Sequence, residues 1–167
     1  MRWGRIGAVA AFLALALFWI WALFFASKES INRIGDREWS NRAESICAAA
    51  REEREALADY RELAGEDAAM LAERADLVDQ ATDIVEDALD EVVVVIPIDE
   101  KGQGIVPDWE ADYRRYLADR RTYSERLRNG EDVPFSETAI EGIPISERIE
   151  RFANDNDMSS CAPPSDL

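Results

Sequence analysis

The side chains that could carry chemistry in this chain are mainly carboxylates, because it contains 35 aspartates and glutamates and no histidine. The absence of histidine removes Ser-His-Asp and Cys-His nucleophile systems, most zinc sites and the Glu-x-x-His pairs of di-iron bundles. A hydrolase could still use two carboxylates, one with a raised pKa and one kept ionised, but no local signature selects such a pair. We therefore predict no catalytic residues, no metal and no cofactor.

One group of carboxylates recurs at three- and four-residue spacing, which places it on one face of a predicted helix. Such a group could hold a cation, dock a basic partner or form a solvated helix face. Charge runs on helices are usually solvated faces, so we prefer that interpretation. The group consists of Asp76, Asp79, Asp83, Glu86, Asp87 and Asp90.

Residues 155–159 place oxygen ligands at alternate positions, in the manner of a calcium-binding loop. However, Ser160 occupies the position at which such a loop needs glycine, and no second helix follows. We therefore expect no calcium site here, and predict instead that Asn154 and Asn156 end a helix.

The chain contains two cysteines, Cys47 and Cys161. In an oxidising compartment they would pair and close a long loop, for which chain entropy gives about 4 to 5 kcal/mol of stabilisation. The alternative is two free thiols, with Cys47 buried as a small hydrophobic residue. We predict the disulfide.

Aromatic residues are stacked along one predicted helix, with Arg120 among them. Trp109, Tyr113, Tyr116 and Tyr123 could form a groove for a glycan or peptide, and are the candidate ligand or partner surface of this chain. The alternative is a core in which the tyrosine hydroxyls point outward and the stem of Arg120 covers the rings. We prefer the core.

The chain near its N-terminus is strongly apolar: residues 6–26 contain no charge. At about 1.5 Å per residue this run crosses a ~30 Å hydrocarbon core. Tryptophans occur near both ends of the run, as in membrane-interface belts. A cleaved signal peptide is the alternative, but its apolar region would be shorter and a small residue would precede the cleavage site.

We predict an all-α fold in which this N-terminal transmembrane helix carries an extracytoplasmic helical bundle. Because long domains are translocated largely regardless of charge, we expect the N-terminus to lie inside the cell. The predicted parts are a cytoplasmic tail at 1–5, the transmembrane helix at 6–26, a stalk at 27–38 with a hinge near Gly35, the bundle at 39–158, and a C-terminal tail at 159–167 fastened by the disulfide.

Helical periodicity, glycines and prolines divide the bundle into three long helices and one short one. The first two should form an antiparallel hairpin with a turn of two or three residues. The β-branched run at 92–98 should be extended and pack along the bundle. The predicted helices are 39–64, capped by Ser40 or Asn41 and ended by Gly65; 67–92; 107–130, starting at Pro107; and a short helix starting near Pro144, after a loop at 131–142 that places Phe135 on the core.

The chain is strongly acidic, with a formal net charge of −16. Nucleic-acid binding needs a basic surface, so we exclude that class of partner. The predicted partners are membrane lipid, through residues 6–26, and another membrane or envelope protein.

Two stretches, residues 109–123 through 130–135 and residues 145–158 through 161–166, together resemble a group of uncharacterised single-pass membrane proteins of actinobacteria. Those proteins have a similar basic N-terminus, a similar apolar span and a cysteine in each of the two matching places. The resemblance implies a location in the bacterial cell membrane and a helical, disulfide-containing extracytoplasmic domain. It implies no reaction.

The preferred hypothesis for function is a membrane-anchored interaction or accessory protein without catalytic activity. An alternative is a bundle that binds a cell-wall fragment, lipid or peptide, with the aromatic helix and residues 92–98 as pocket walls. A carboxylate-based hydrolase is the second alternative. Residues 1–5 are too few to signal on their own, so any signal would need a partner.

Overall fold

The computed structural model describes residues 2–24, 30–57 and 67–165. The fold in these ranges is mostly helical, which confirms the predicted all-α class. The helices are α1 (Arg2–Phe24), α2 (Arg37–Glu55), α3 (Ala68–Val93), α4 (Glu100–Arg128) and α5 (Ile145–Asp155), with a two-stranded ribbon of β1 (Ala139–Ile140) and β2 (Ile143–Pro144) and a 3₁₀ turn at Ser159–Cys161.

The chain divides into two compact units, Met1–Ile31 and Asn32–Leu167, with the boundary inside the predicted stalk. The first unit contains α1, whose large apolar side chains are exposed from Phe12 to Leu23. Within the described residues, no helix reaches the combination of length and hydropathy that a membrane span requires.

The second unit is a bundle built around the antiparallel pair α3 and α4. Alanines such as Ala75 and Ala81 are fully buried on the inner face of α3, where small side chains let neighbouring backbones approach. Helix α2 packs on α3, and α5 packs on α4. The core of this unit is therefore continuous from α2 to α5.

Helix α2 differs from its prediction at both ends. Its N-cap is Asp36, whose carboxylate accepts a hydrogen bond from the amide of Trp39, so the predicted cap at Ser40 or Asn41 is wrong. The helix ends at Glu55 and a turn follows, so the prediction of one continuous helix over 39–64 is also wrong. The rest of that range and the predicted end at Gly65 lie outside the described residues.

Helix α4 begins two turns earlier than predicted. The carboxylate of Asp99 caps the helix by accepting from the amide of Gly102, and Pro107 lies inside the helix. An internal proline loses one backbone hydrogen bond, but the neighbouring Val106 and Trp109 are buried and hold this turn in place. Tertiary packing therefore overrides the proline signal.

The connection between α3 and α4 also differs from the prediction. Helix α3 continues through Val93, and Pro97 is buried. The side chains of Val94, Ile96 and Ile98 point into solvent, so the prediction that 92–98 is an extended stretch packed along the bundle is wrong.

The loop after α4 places Phe135 on the core, as predicted. The ring lies edge-on to Tyr116 and Tyr123, with centroids 6.0 and 5.7 Å away. The ribbon of β1 and β2 that follows turns at Glu141 and Gly142, both with positive φ.

Candidate functional site

The aromatic residues of the candidate surface are core residues in this structure. Trp109, Tyr113, Tyr116 and Tyr123 are only 2 to 4% exposed. Trp109 stacks on Phe152 of α5, with ring centroids 5.3 Å apart. The four rings thus form no open groove, and ligand binding by them stays a prediction.

The backbone of the C-terminal tail covers two of these tyrosines. The hydroxyl of Tyr116 donates to the carbonyl oxygen of Pro164 at 2.9 Å, and that of Tyr113 lies 3.5 Å from the carbonyl oxygen of Ala162. The bond of Tyr116 is buried and that of Tyr113 is partly buried, so the prediction that the tyrosine hydroxyls point outward is wrong for Tyr116.

Arg120 is more deeply placed than predicted, because its whole side chain is buried. Its Nε donates to the hydroxyl of Thr82 at 2.9 Å, and its guanidinium carbon lies 5.9 Å from the ring centroid of Tyr116. A buried guanidinium is stable only with such partners, so Arg120 is part of the α3–α4 interface.

The predicted disulfide is present between Cys47 and Cys161, with Cα atoms 5.1 Å apart. Next to it, the carboxylate of Glu44 accepts from both the amide and the hydroxyl of Ser160, at 2.9 and 2.8 Å. These contacts fasten the 3₁₀ turn of the tail to α2.

The predicted acidic stripe lies against arginines of α4 that recur at every seventh position. Because α3 and α4 are antiparallel, each next arginine along α4 pairs with carboxylates that lie seven residues earlier in α3. We call this set the charge ladder. Its pairs are Arg128 with Asp76 (2.7 Å) and Asp79 (2.6 Å), Arg121 with Asp83 (2.9 Å) and Glu86, and Arg114 with Asp90 (2.8 Å).

The stripe is largely solvated, as the preferred interpretation predicts: the side chains of Asp76, Asp83 and Asp90 are 57 to 64% exposed even though arginines of the same chain pair with them. Among the described residues, no group of three or more histidines, cysteines, aspartates and glutamates is arranged to hold a metal ion.

Residues 155–157, which resemble part of a calcium loop, instead hold the segment that leads into α2. We call residues 32–37 the lead-in segment. The fully buried side chain of Asn156 accepts from the amide of Ile34 at 2.8 Å and donates to the carbonyl of Asn32 at 2.9 Å. Arg33 and Arg37 both pair with Asp157, at 3.1 and 2.5 Å.

Two aspartates fasten the other side of the lead-in segment by capping two helices at once. Asp99 caps α4 and also accepts from the amides of Gly35 and Asp36, at 3.1 and 2.9 Å. Asp36 caps α2 and also accepts from the amide of Ile98 at 2.9 Å. We call this pair the reciprocal caps. Gly35 is bonded within them, which argues against the predicted hinge.

The hydrogen bonds to Asp99 favour its ionised carboxylate. Burial alone would raise the pKa of Asp99, but hydrogen bonds from the amides of Gly102, Gly35 and Asp36 lower it below its usual value. Gly102 is required by space: a Cβ there would lie 2.7 Å from Cβ of Pro97 and 2.8 Å from Oδ1 of Asp99.

An exposed loop at residues 94–98 lies beside the reciprocal caps, and we call it the apolar loop. Its exposed side chains are Val94 (73%), Val95 (46%), Ile96 (69%) and Ile98 (85%). The indole N–H of Trp39 donates to the carbonyl of Val95 at 2.7 Å, so the loop is tied to α2.

A shallow cleft of about 340 Å³ lies between the end of α2 and the C-terminal tail. Its lining is polar and includes Arg51, Arg54, Ser159 and Ser165. Arg51 is paired with Glu55 at 3.5 Å.

No protein-family profile matches this chain, and no curated protein or solved structure is detectably similar to it. The contacts described above are therefore the basis for assigning a function.

Proposed function

We propose that this chain is a membrane-anchored, extracytoplasmic interaction or accessory protein without catalytic activity. The observation that carries the proposal is the fastening of the lead-in segment. Asn156 and Asp157 hold it on one side, and the reciprocal caps hold it on the other. Such fastening suits a bundle that presents its surface in a fixed orientation to a partner.

The anchoring part of the proposal rests on the sequence, in which residues 6–26 carry no charge. The exposed apolar side chains of α1 support it, because a helix that is apolar all round needs a nonaqueous or protein environment. The disulfide supports an extracytoplasmic location, since such bonds persist in oxidising compartments. The resemblance to actinobacterial membrane proteins points the same way.

The structural use of the carboxylates supports binding rather than catalysis. A carboxylate hydrolase needs one acid with a raised pKa. The pKa of Asp99 is lowered despite burial, and that of Asp157 is lowered chiefly by its hydrogen bond from Arg37. The carboxylates of the charge ladder are paired with arginines across α3 and α4.

The test is fractionation and cross-linking of the full chain in its native cells. We expect it to stay in the membrane pellet after alkaline extraction, and the bundle to be digested by protease added outside the cell. A photo-cross-linking amino acid placed at exposed positions should capture the same envelope protein in independent experiments. Release by alkali, protection from outside protease or absence of a reproducible partner would each contradict the proposal.

Binding of a small anionic ligand is a second candidate function, favoured by the cleft beside Arg51 and Arg54. A thermal-shift screen with anionic cell-wall fragments tests it, with Arg54→Gln as the variant and Arg115→Gln, exposed on α4, as the control. A shift that Arg54→Gln leaves unchanged would contradict binding in the cleft.

A further inference from the structure

Within the described residues of the bundle, 32–57 and 67–165, the large hydrophobic side chains that are exposed all belong to the apolar loop: Val94, Val95, Ile96 and Ile98. The loop is exceptional in a chain whose formal net charge is −16. Clustered exposed apolar side chains in a soluble domain mark a contact surface.

Neighbouring elements hold the apolar loop in an outward-facing conformation. The amide of Ile98 donates to the carboxylate of Asp36 at 2.9 Å. The carbonyl of Val95 accepts from the indole of Trp39 at 2.7 Å, and the carbonyl of Pro97 accepts from the side-chain amide of Gln103 at 3.0 Å. The side chains therefore stay exposed because the backbone is fixed.

These backbone bonds also decide what kind of environment the loop tolerates. Unpaired backbone groups are costly to move out of water, and hydrocarbon offers them no partner. The carbonyls of Val95 and Pro97 and the amides of Val94 and Ile98 already have partners within the chain. These partners lower the cost of dehydrating those four groups, and removing the apolar side chains from water is favourable.

The chain itself limits which surfaces of the bundle can reach an anchoring membrane. The uncharged run ends at Ala26, and the bundle begins at Asn32. A stretch of this length spans at most about 20 Å. The apolar loop is bonded to the lead-in segment through the carboxylate of Asp36, and the lead-in segment follows this stretch directly in the sequence.

We propose that the apolar loop dips into the headgroup region of the bilayer and forms a second lipid contact of the protein. This inference rests on the anchoring proposed above. The loop contains no charged residue, so the repulsion between the acidic bundle and anionic headgroups does not act on it directly.

The test is photo-cross-linking of the full chain in phosphatidylcholine vesicles. A benzophenone amino acid replaces Ile96 in one sample and Asn129 in the control. Asn129 ends α4, a helix of 29 residues, at the other end from the apolar loop; this helix is about 40 Å long. We expect lipid adducts, detected by mass spectrometry, to be several-fold more abundant with the probe at position 96.

Equal or absent lipid adducts at the two positions would overturn the inference, and so would an adduct at position 96 to a second copy or another protein. Flotation of the same vesicles separates this failure from that of the anchor. A chain that does not float contradicts the proposed anchoring, whereas a chain that floats without an adduct at 96 contradicts only the lipid contact. A pattern of limited proteolysis that matches that of the native chain shows that the bundle of each variant has folded.

Discussion

At the scale of single residues, Asp99 joins the lead-in segment to the start of α4. Its two oxygens accept three backbone amides, from Gly35, Asp36 and Gly102. An amide side chain has only one oxygen, so Asp99→Asn must lose at least one of these bonds. We expect a loss of about 1 to 2 kcal/mol in the free energy of unfolding, measured by urea titration in detergent.

Asp67→Asn is the matched control for that substitution. The exposed carboxylate of Asp67 also caps a helix, and among the described residues it accepts only from the amide of Met70, at 2.9 Å. Asparagine and aspartate are nearly equal at such positions, so we expect a change of no more than about 0.5 kcal/mol. Equal effects of the two substitutions would show that Asp99 acts only as an ordinary cap.

The lowered pKa of Asp99 predicts a pH dependence of stability. Its contribution is present above the unfolded-state pKa of about 3.9 and is lost as the pH falls through the lower folded-state value. Unfolding curves between neutral pH and about pH 2 should therefore lose stability more steeply for the native chain than for Asp99→Asn. Parallel curves would contradict this assignment.

Two glycines of α4 give opposite predictions. Gly102→Ala brings a Cβ against Pro97 and Asp99, so we expect it to destabilise by about 1 to 3 kcal/mol. Gly104→Ala meets nothing within 4 Å and should stabilise the helix by about 0.5 to 1 kcal/mol. Thermal unfolding of both variants checks the signs, and a stabilising Gly102→Ala would refute the close packing.

What the sequence reveals at this scale depends on whether the partner is local. The disulfide was predictable because two cysteines permit one pairing. The roles of Asp36 and Asn156 were not, because their partners Ile98 and Ile34 are distant in the chain. Asp36 and Asp99 are each followed by a glutamate in the first turn, which is a cap signal that could have been recognised.

At the scale of elements, the charge ladder links α3 and α4 through partly exposed ion pairs. Arg121→Glu should replace the ion pairs with Asp83 and Glu86 by repulsion between like charges. We expect the free energy of unfolding to fall by about 1 kcal/mol, and by less in high salt. Arg115→Glu makes the same charge change at an exposed position of α4 outside the ladder. Equal losses in urea titrations at low salt would contradict a specific role of the ladder.

The predictability of the elements follows from the strength of their periodic pattern. Helix α3 is within one residue of its prediction, because its apolar spacing is regular. The start of α4 was missed because Pro107 resembles a first-turn proline, while its capping depends on Asp99. Arg114, Arg121 and Arg128 are spaced seven residues apart in the sequence. Matched to the acidic stripe, this spacing predicts the charge ladder.

At the scale of the whole molecule, the disulfide joins α2 to the tail across a sequence separation of 114 residues. Replacing Cys47 and Cys161 together by alanine should lower the free energy of unfolding by about 4 to 5 kcal/mol, if chain entropy dominates. Without the disulfide the tail is held mainly by hydrogen bonds, such as the one that Tyr116 donates to Pro164 and the one that Glu44 accepts from Ser160. We therefore also expect protease to cut the tail. Limited proteolysis compared with the native chain measures this, and an uncut tail would contradict it.

The remote partners of the lead-in segment and of α2 have a consequence for the order of biosynthesis. Asn156, Asp157 and Cys161 are made more than a hundred residues after the parts they hold, as separations of 114 to 124 residues imply. The part of α2 that the C-terminal tail covers must therefore wait until the intervening helices have been made. Because Cys161 is the only other cysteine, the waiting Cys47 has no wrong partner within its own chain. Late closure is thus compatible with a single oxidised product.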